Sequence, residues 1–171
     1  MFLGGPGSGK STIGTRLAND LKWPWISSGA ILRESKEPWV VEKLKTAQLF
    51  DDDMVSGLVL SRLTDAPNAI IDGFPRTFRQ AEIMMTHGEK VDVIVELQVP
   101  LEEVQKRLSE RGRDQDVEDI IEERYEMYER NKDEIVAYLI GNGAKIVKID
   151  GTGTQDEVYA KVVNGLKEVA R

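Results

Sequence analysis

Short apolar runs alternate along the chain with longer stretches in which apolar residues recur every three or four positions. The runs AIID and DVIVEL are nearly continuous and rich in Ile and Val. Runs of this kind are typical of strands buried on both faces, as in a parallel sheet covered by helices. The predicted strands are residues 1–3, 25–27, 69–72, 92–99 and 145–150.

The segments between these runs have the apolar spacing of helices. Helices are predicted over IGTRLANDL, MVSGLVLSRL, PLEEVQKRL and residues 117–140,. The acidic run 51–53 is expected to be the solvated start of a helix. A last helix begins at a capping box of Thr154 and Glu157. Strands that alternate with helices throughout predict one α/β domain with three layers, whose ligands sit at the carboxyl ends of the strands.

Composition narrows the class of protein. The 171 residues suit one domain, and 40% hydrophobic with 31% charged residues is a globular composition,. The absence of cysteine and the single histidine exclude disulfides and argue against a zinc site,. A net charge of -7 argues against a general nucleic-acid binder,. No apolar run suits a membrane span or a signal peptide. We therefore expect a cytoplasmic protein without zinc, nucleic-acid or membrane partners.

A glycine-rich segment near the start carries the first chemical signal. Residues 4–11, GGPGSGKS, fit the phosphate-binding pattern G-x-x-x-x-G-K-[ST],. Glycines let backbone N–H groups wrap phosphate oxygens, and the helix that follows favours anions at its N-terminus. Lys10 is expected to reach the β- and γ-phosphates, Ser11 to hold Mg²⁺ directly or through water, and Thr12 to contact the α-phosphate. The other expected ATP-binding residues of the loop are Gly5, Gly7, Ser8 and Gly9.

Such a loop by itself indicates a nucleoside triphosphate, and it is compatible with a switch GTPase, an ATPase or a small-molecule kinase. The stretch AIIDGFPRTFRQAE adds a second carboxylate. Asp72 ends an apolar strand, so its carboxylate should emerge beside the loop, where it can hold Mg²⁺ and its waters. Arg76 follows four residues later and is suited to clamp phosphate oxygens.

Five segments resemble, in order, the landmarks of the adenylate kinases, a family of nucleoside monophosphate kinases. They are GGPGSGKST, ISSGAILRE, IIDGFPRTFRQAE, RGRDQD together with Arg124, and KIDGT. The resemblance implies a P-loop NTPase-type three-layer sandwich with a central five-stranded parallel sheet. It also implies a helical NMP-binding insertion at residues 28–55 and a vestigial lid at residues 107–116 within a single domain, residues 1–171. The implied reaction is Mg²⁺-dependent, reversible phosphoryl transfer from ATP to AMP, giving two ADP, and we expect a monomer.

The resemblance assigns an AMP site residue by residue. Arg33 and Arg76 match the arginines that hold the AMP phosphate. Ser28 matches a residue that frames the adenine, and Gln80 matches the glutamine that reads its edge. The further AMP-binding residues implied are Gly29, Phe50, Val55 and Gly73.

The resemblance also assigns the ATP side of the reaction. Arg107 is expected to flank the ATP adenine. The implied catalytic set, which converges on the transferring phosphoryl group, is Lys10, Arg76, Arg111, Arg113 and Arg124.

Three positions depart from the family pattern. A single glycine separates Arg111 from Arg113, so the lid is almost absent. Ala30 stands where the family usually has Asp, and Gln115 replaces one of two paired aspartates, the other being Asp116. A lid excludes water and completes the arginine set. Its near-absence therefore predicts slow turnover and some ATP hydrolysis.

Two alternatives remain open from the sequence. The first is a kinase for UMP, CMP or another monophosphate, against which Gln80 and FPRT speak. The second is a nucleotide-binding regulator with weak ATPase activity. The co-occurrence of Arg33, Arg76 and Gln80 favours a kinase, because a plain ATPase has no use for an acceptor site.

Overall fold

The structure is a computed structural model that describes residues 1–64, 66–111 and 118–170, with Arg111 described by its backbone alone. The strands within those ranges are β1 (Phe2–Leu3), β2 (Trp25–Ser27), β3 (Ile70–Asp72), β4 (Val93–Gln98) and β5 (Lys145–Asp150). Each coincides with a predicted strand to within one residue at either end. The apolar runs therefore located the strands correctly.

The strands form one parallel sheet in the order β2-β3-β1-β4-β5. The central strand β1 is only two residues long, yet Phe2 pairs with Asp72 on one side and with Val95 on the other. The chain leaves β1 towards β2 and later returns on the opposite side of β1 to form β4. The loop after β1 therefore lies at a topological switch point, where open α/β sheets bind ligands.

The described helices connect the strands or follow the last one. They are α1 (Lys10–Leu21), α2 (Ser28–Glu34), α3 (Pro38–Leu44), α4 (Asp52–Leu63), α5 (Phe78–Thr86), α6 (Leu101–Arg111), α7 (Glu118–Gly141) and α8 (Gln155–Val169). Periodicity predicts α1, α4, α6 and α7, and the capping box predicts α8. The other three have seven to nine residues, too few turns for a clear helical period. None of the helices in the described part of the chain is long and apolar enough to cross a membrane.

Alternation of side chains along the strands builds two cores. Phe2 and Ile70 belong to a cluster with α1 and α8 on one face of the sheet. Leu3 and Ile71, the next residue in each strand, belong to a larger cluster with α2, α3, α4, α5 and α7 on the other face. The three-layer α/β sandwich with a five-stranded parallel sheet is thus confirmed.

Five described helices, α1, α2, α5, α6 and α8, begin at the carboxyl edge of the sheet, directly or shortly after a strand. Helix α1 follows Gly9, whose φ of 92° is left-handed. Helix α2 begins directly after β2, and the Ser27 hydroxyl accepts the Ala30 N–H at 3.3 Å. Helix α5 begins after Thr77, whose hydroxyl accepts the Gln80 N–H at 3.1 Å. The positive ends of five helix dipoles therefore lie at this edge.

Candidate active site

A cavity of about 230 Å³ opens at the carboxyl edge of the sheet, between the glycine loop and helices α2, α3 and α7. It brings together most of the predicted site residues, although they come from separate parts of the chain. Those that line it are Gly7, Lys10, Ser11, Ser28, Gly29, Arg33, Phe50, Val55, Asp72, Gly73, Arg76, Gln80 and Arg124. The loop residues Gly5, Ser8 and Gly9, together with Thr12, are not part of this lining.

The glycine loop curls around the ammonium group of its own lysine. Lys10 Nζ donates to the carbonyl oxygens of Gly4 and Gly5, both at 2.7 Å, and to Ser8 Oγ at 3.2 Å. Gly7 has a φ of 69°, and a Cβ there would lie 2.9 Å from Leu108 Cγ. Glycine is therefore required at this position by both backbone conformation and space. The loop holds a cation beside the N-terminus of α1, which is a favourable place for phosphate.

The two predicted metal-binding residues are in direct contact. Ser11 Oγ donates to Asp72 Oδ2 at 2.7 Å, and Asp72 is only 3% exposed. Among the described residues, no group of three or more His, Cys, Asp or Glu side chains could hold a metal ion. Mg²⁺ commonly takes one or two protein oxygens and completes its shell with water and phosphate. One hydroxyl and one carboxylate beside a phosphate loop therefore fit Mg²⁺.

Arg76 is fixed through both its backbone and its side chain. Its N–H donates to Gln80 Oε1 at 2.7 Å, and its carbonyl accepts from Asn131 Nδ2 at 3.1 Å. Its Nε donates to the Gly73 carbonyl at 2.9 Å. Arg76 is exposed to the cavity, but the surrounding protein desolvates the guanidinium and lowers its pKa, while the charge of Asp72 opposes that shift. The guanidinium is therefore a preorganised cation in a partly desolvated place.

Two glycines make room for the side chains of the predicted AMP site. Gly73 has a φ of 71°, and a Cβ there would lie 3.0 Å from Ser28 Oγ and 3.1 Å from Arg76 Nη2. The Ser28 hydroxyl donates to the Gly73 carbonyl. A Cβ at Gly29 would lie 3.1 Å from Arg33 Nη1. Both predicted phosphate-binding arginines therefore pack over glycine backbone on the cavity wall.

Gln80 is held by a carboxylate that the sequence analysis placed in solvent. Gln80 is 2% exposed, and its Nε2 donates to Asp52 Oδ1 at 3.0 Å. The Thr77 hydroxyl donates to the same oxygen at 3.0 Å. Residues 51–53 do begin helix α4 as expected, but Asp52 is half-buried because the start of α4 meets the start of α5. The expectation of a wholly solvated acidic run was wrong for this residue.

Arg124 connects α7 to the end of α3. Its Nη2 donates to the carbonyl oxygens of Leu44 and Thr46, at 2.8 and 2.6 Å. Both of these residues also line the cavity. A predicted catalytic arginine thus joins the core to residues 28–55 across the cavity.

Arg107 lies apart from the cavity. Its Nε pairs with Glu103 at 2.8 Å, and its Nη2 donates to the Gly151 carbonyl at 3.0 Å, just beyond the end of β5. The expected contact of Arg107 with the ATP adenine stays a prediction. The side chain of Arg111, and Arg113, Gln115 and Asp116 entirely, lie outside the described residues.

Helix α7 contributes cavity residues that belong to no motif. They are Met127, Tyr128, Asn131, Lys132 and Ile135. Counted from Arg124, they recur every three or four residues, as residues on one face of a helix do. This spacing from Arg124 is the feature of the sequence from which these cavity residues could have been predicted.

The charge on the cavity wall is strongly positive although the whole chain is acidic. The lining contains one acidic side chain, Asp72, among its described residues. Its basic residues are Lys10, Arg33, Lys43, Arg76, Arg124 and Lys132. Six cations around one carboxylate, in a chain of net charge -7, indicate a polyanionic ligand.

Comparison with known proteins agrees with this geometry. A model of the family described as adenylate kinase matches residues 2–144. An adenylate kinase of Thermus thermophilus is 35% identical over 176 residues, covering 95% of this chain and 93% of that protein. The adenylate kinase of Maricaulis maris is 34% identical over 185 residues, covering 98% of each. That of Micrococcus luteus is 31% identical over 186 residues, covering 99% of this chain and 90% of the relative.

Proposed function

The chain belongs to the adenylate kinase family, and on that premise we propose that its cavity transfers a phosphoryl group reversibly from ATP to AMP, giving two ADP. The observation that supports this most strongly is the lining of six cations and one carboxylate around the glycine loop. A donor triphosphate and an acceptor monophosphate bring many negative charges into one place. Such a lining offsets their mutual repulsion.

The donor half is formed by the glycine loop and the start of α1. Lys10 and the N-terminal N–H groups of α1 bind the β- and γ-phosphates of ATP. To do so, the Lys10 ammonium exchanges part of its contact with the Gly4 and Gly5 carbonyls for phosphate oxygens. Ser11 and Asp72 hold Mg²⁺, which when bound neutralises charge on the phosphates.

The acceptor half is formed by helices α2, α4 and α5. Arg33 and Arg76 bind the phosphate of AMP, and Ser28 and Gln80 lie beside its adenine. Gln80 is oriented by Asp52 and by the Arg76 N–H, so its amide has one orientation. Phe50 and Val55, both buried cavity residues, provide the apolar surface for the base. We propose residues 28–55 as the NMP-binding insertion and residues 107–116 as the lid segment.

The transfer itself requires positioning and charge stabilisation and no covalent intermediate with the protein. An oxygen of the AMP phosphate forms the new bond to the γ-phosphorus, and the bond from that phosphorus to the β,γ-bridging oxygen breaks. The attacking oxygen already carries negative charge, so no strong base is needed. Lys10, Arg76 and Arg124 stabilise the charge on the transferring group, and Arg111 and Arg113 are proposed to complete the set.

A product assay tests this proposal. Purified protein is incubated with MgATP and one acceptor (AMP, CMP, UMP or GMP) or none, and all nucleotides are quantified by chromatography. We expect ADP to form in step with loss of AMP, with much less product from the other acceptors. Removal of Mg²⁺ with EDTA should abolish the transfer.

The outcomes separate the proposal from its alternatives. Product formed mainly with CMP or UMP would make the protein a kinase for another monophosphate. Loss of ATP at the same rate with and without acceptor would overturn the kinase function. The rate without acceptor also measures how much hydrolysis accompanies the short lid segment.

A further inference from the structure

Lys132 is a cavity cation that none of the motifs contains. It lies on helix α7 and lines the same cavity as Asp72, Arg76 and Arg124. Its side chain is only 21% exposed. A lysine is seldom buried to this degree unless its charge has partners.

The ammonium group of Lys132 is held in place by its own helix. Lys132 Nζ pairs with Glu129 Oε2 at 2.6 Å, one turn earlier. It also lies 5.5 Å from the centre of the Tyr128 ring, a distance at which a ring attracts a cation. Desolvation lowers the pKa of Lys132, but the hydrogen bond and charge of Glu129, with smaller contributions from Glu96 and Asp133, outweigh it and raise the pKa. Lys132 is therefore fully charged at neutral pH.

The turn of α7 that carries Lys132 touches both halves of the proposed site. A Cβ at Gly5 of the glycine loop would lie 3.5 Å from Tyr128 Cδ1, so the Tyr128 ring packs on the loop. The side chain of Asn131 donates to the Arg76 carbonyl at 3.1 Å. Lys132 follows directly after Asn131 in sequence. Lys132 also lines the cavity, so its ammonium group lies on an element that contacts both the glycine loop and Arg76.

We propose that Lys132 is a further catalytic residue, whose ammonium group binds oxygens of the transferring phosphoryl group beside Arg76 and Arg124. This inference rests on the proposed function. Charge-assisted hydrogen bonds from a preorganised, desolvated cation stabilise a phosphoryl transition state more than exposed charges do. Lys132 supplies this charge from helix α7, whose Ile135 and Leu139 pack in the core.

A buried carboxylate close by offers a different role for the same lysine. Glu96 is 3% exposed, lies 3.4 Å from the Tyr128 hydroxyl and 3.8 Å from Lys148 Nζ. In this alternative, Lys132 does not touch the phosphates, and its charge serves only to neutralise the Glu96 carboxylate. A double variant distinguishes this structural role from phosphate binding, because removal of both charges leaves nothing to neutralise.

Four variants test the proposal: Lys132→Met, Lys132→Arg, Lys148→Met and the double variant Lys132→Met with Glu96→Gln. Methionine keeps the length of the lysine stem without its charge. Lys148 is the matched control, because it faces the same Glu96 but does not line the cavity. The kcat and KM for ADP formation are measured for each, together with the thermal midpoint and the Kd for AMP by calorimetry.

The expected result is a fall in kcat of about tenfold or more for Lys132→Met, with recovery of much of this loss in Lys132→Arg. Lys148→Met should retain the activity of the unaltered protein, and Glu96→Gln should not rescue Lys132→Met. Unchanged kcat in Lys132→Met, or full rescue by Glu96→Gln, would overturn the proposal. An unaltered protein that makes no ADP from AMP would instead refute the proposed function itself.

Discussion

Residues of the site differ in whether the sequence around them indicates that they belong to it. Gly7, Lys10 and Ser11 lie within one short motif that singles them out, and all three line the cavity. Asp52 and Lys132 have no such motif. Asp52 accepts hydrogen bonds from residues 25 and 28 positions away, so only the packing of two helices shows its place in the site.

Arg76 carries the first residue-scale prediction. Its Nε donates to the Gly73 carbonyl, in the half of the cavity proposed to hold AMP. Arg76→Ala should therefore leave the Kd for ATP nearly unchanged and lower the rate of phosphoryl transfer by more than about tenfold. Calorimetry with ATP measures the Kd, and single-turnover measurement of ADP formation gives the rate of transfer.

Arg79 is the control for this substitution. It lies one turn further along the chain, its side chain is 57% exposed, and its carboxylate contacts with Asp53 and Glu82 are long, at 3.7 Å. Arg79→Ala should leave transfer unchanged. Equal activity of the two variants would remove Arg76 from the site.

At the scale of elements, patterning located the strands and the long helices, because each must bury an apolar surface of fixed period. Strand β4 and helix α7 show this clearly: their boundaries differ from the predicted ones by one residue. Helices α2 and α3 are too short to show a helical period in the sequence. They have seven residues each. Their stability comes from tertiary packing, of α2 against β2 and α4 and of α3 against α2, more than from local sequence.

The start of α8 carries the element-scale prediction. The Thr154 hydroxyl accepts the Glu157 N–H at 3.3 Å, and the Glu157 carboxylate accepts the Thr154 N–H at 2.8 Å. Thr154→Ala should lower the free energy of unfolding by about 1 kcal/mol and the thermal midpoint by roughly 2–4 °C. Activity should not change, because α8 lies away from the cavity. Thr86→Ala, an exposed threonine at the end of α5, is the control.

The same capping box sets the pH dependence of this effect. Backbone and side-chain hydrogen bonds from Thr154 lower the pKa of Glu157 below its ordinary value. A lowered carboxyl pKa contributes stability above the unfolded-state pKa, and that contribution is lost as the pH falls through the folded-state pKa. Thr154→Ala keeps the backbone N–H contact and loses only the hydroxyl, which donates to Glu157 Oε2 at 3.0 Å. Because that hydroxyl contact favours the ionised carboxylate, the difference between unaltered protein and Thr154→Ala should shrink in acid. A constant difference in thermal midpoint between pH 7 and pH 3 would contradict this assignment.

At the scale of the whole molecule, the cavity exists because distant elements meet over the carboxyl edge of the sheet. Arg124 is the clearest link, since it joins α7 to the carbonyls of Leu44 and Thr46. Those carbonyls belong to the proposed NMP-binding insertion. The residue proposed to stabilise the transferring phosphate therefore also ties the insertion to the core.

This link predicts a change in local stability. Without bound nucleotide, Arg124→Ala should speed amide hydrogen exchange at Lys45 and Thr46, whose N–H groups close the last turn of α3. Loss of a charged hydrogen-bond donor from that turn should raise the exchange rate by about tenfold. Arg130→Ala, an exposed arginine on the same helix, should leave exchange unchanged. Protection equal to that of the unaltered protein would show that Arg124 does not hold the insertion.

The sequence by itself determined the features that short stretches of chain specify. Buried strands, long amphipathic helices and the phosphate loop each require a particular local pattern, so residues such as Lys10 and Asp72 could be singled out as cavity candidates. Tertiary structure alone decided which groups face one another across the cavity. Asp52 with Gln80, Arg124 with the end of α3, and Asn131 with the Arg76 carbonyl are contacts between elements. Their geometry follows from how the helices pack on the sheet, which no local period encodes.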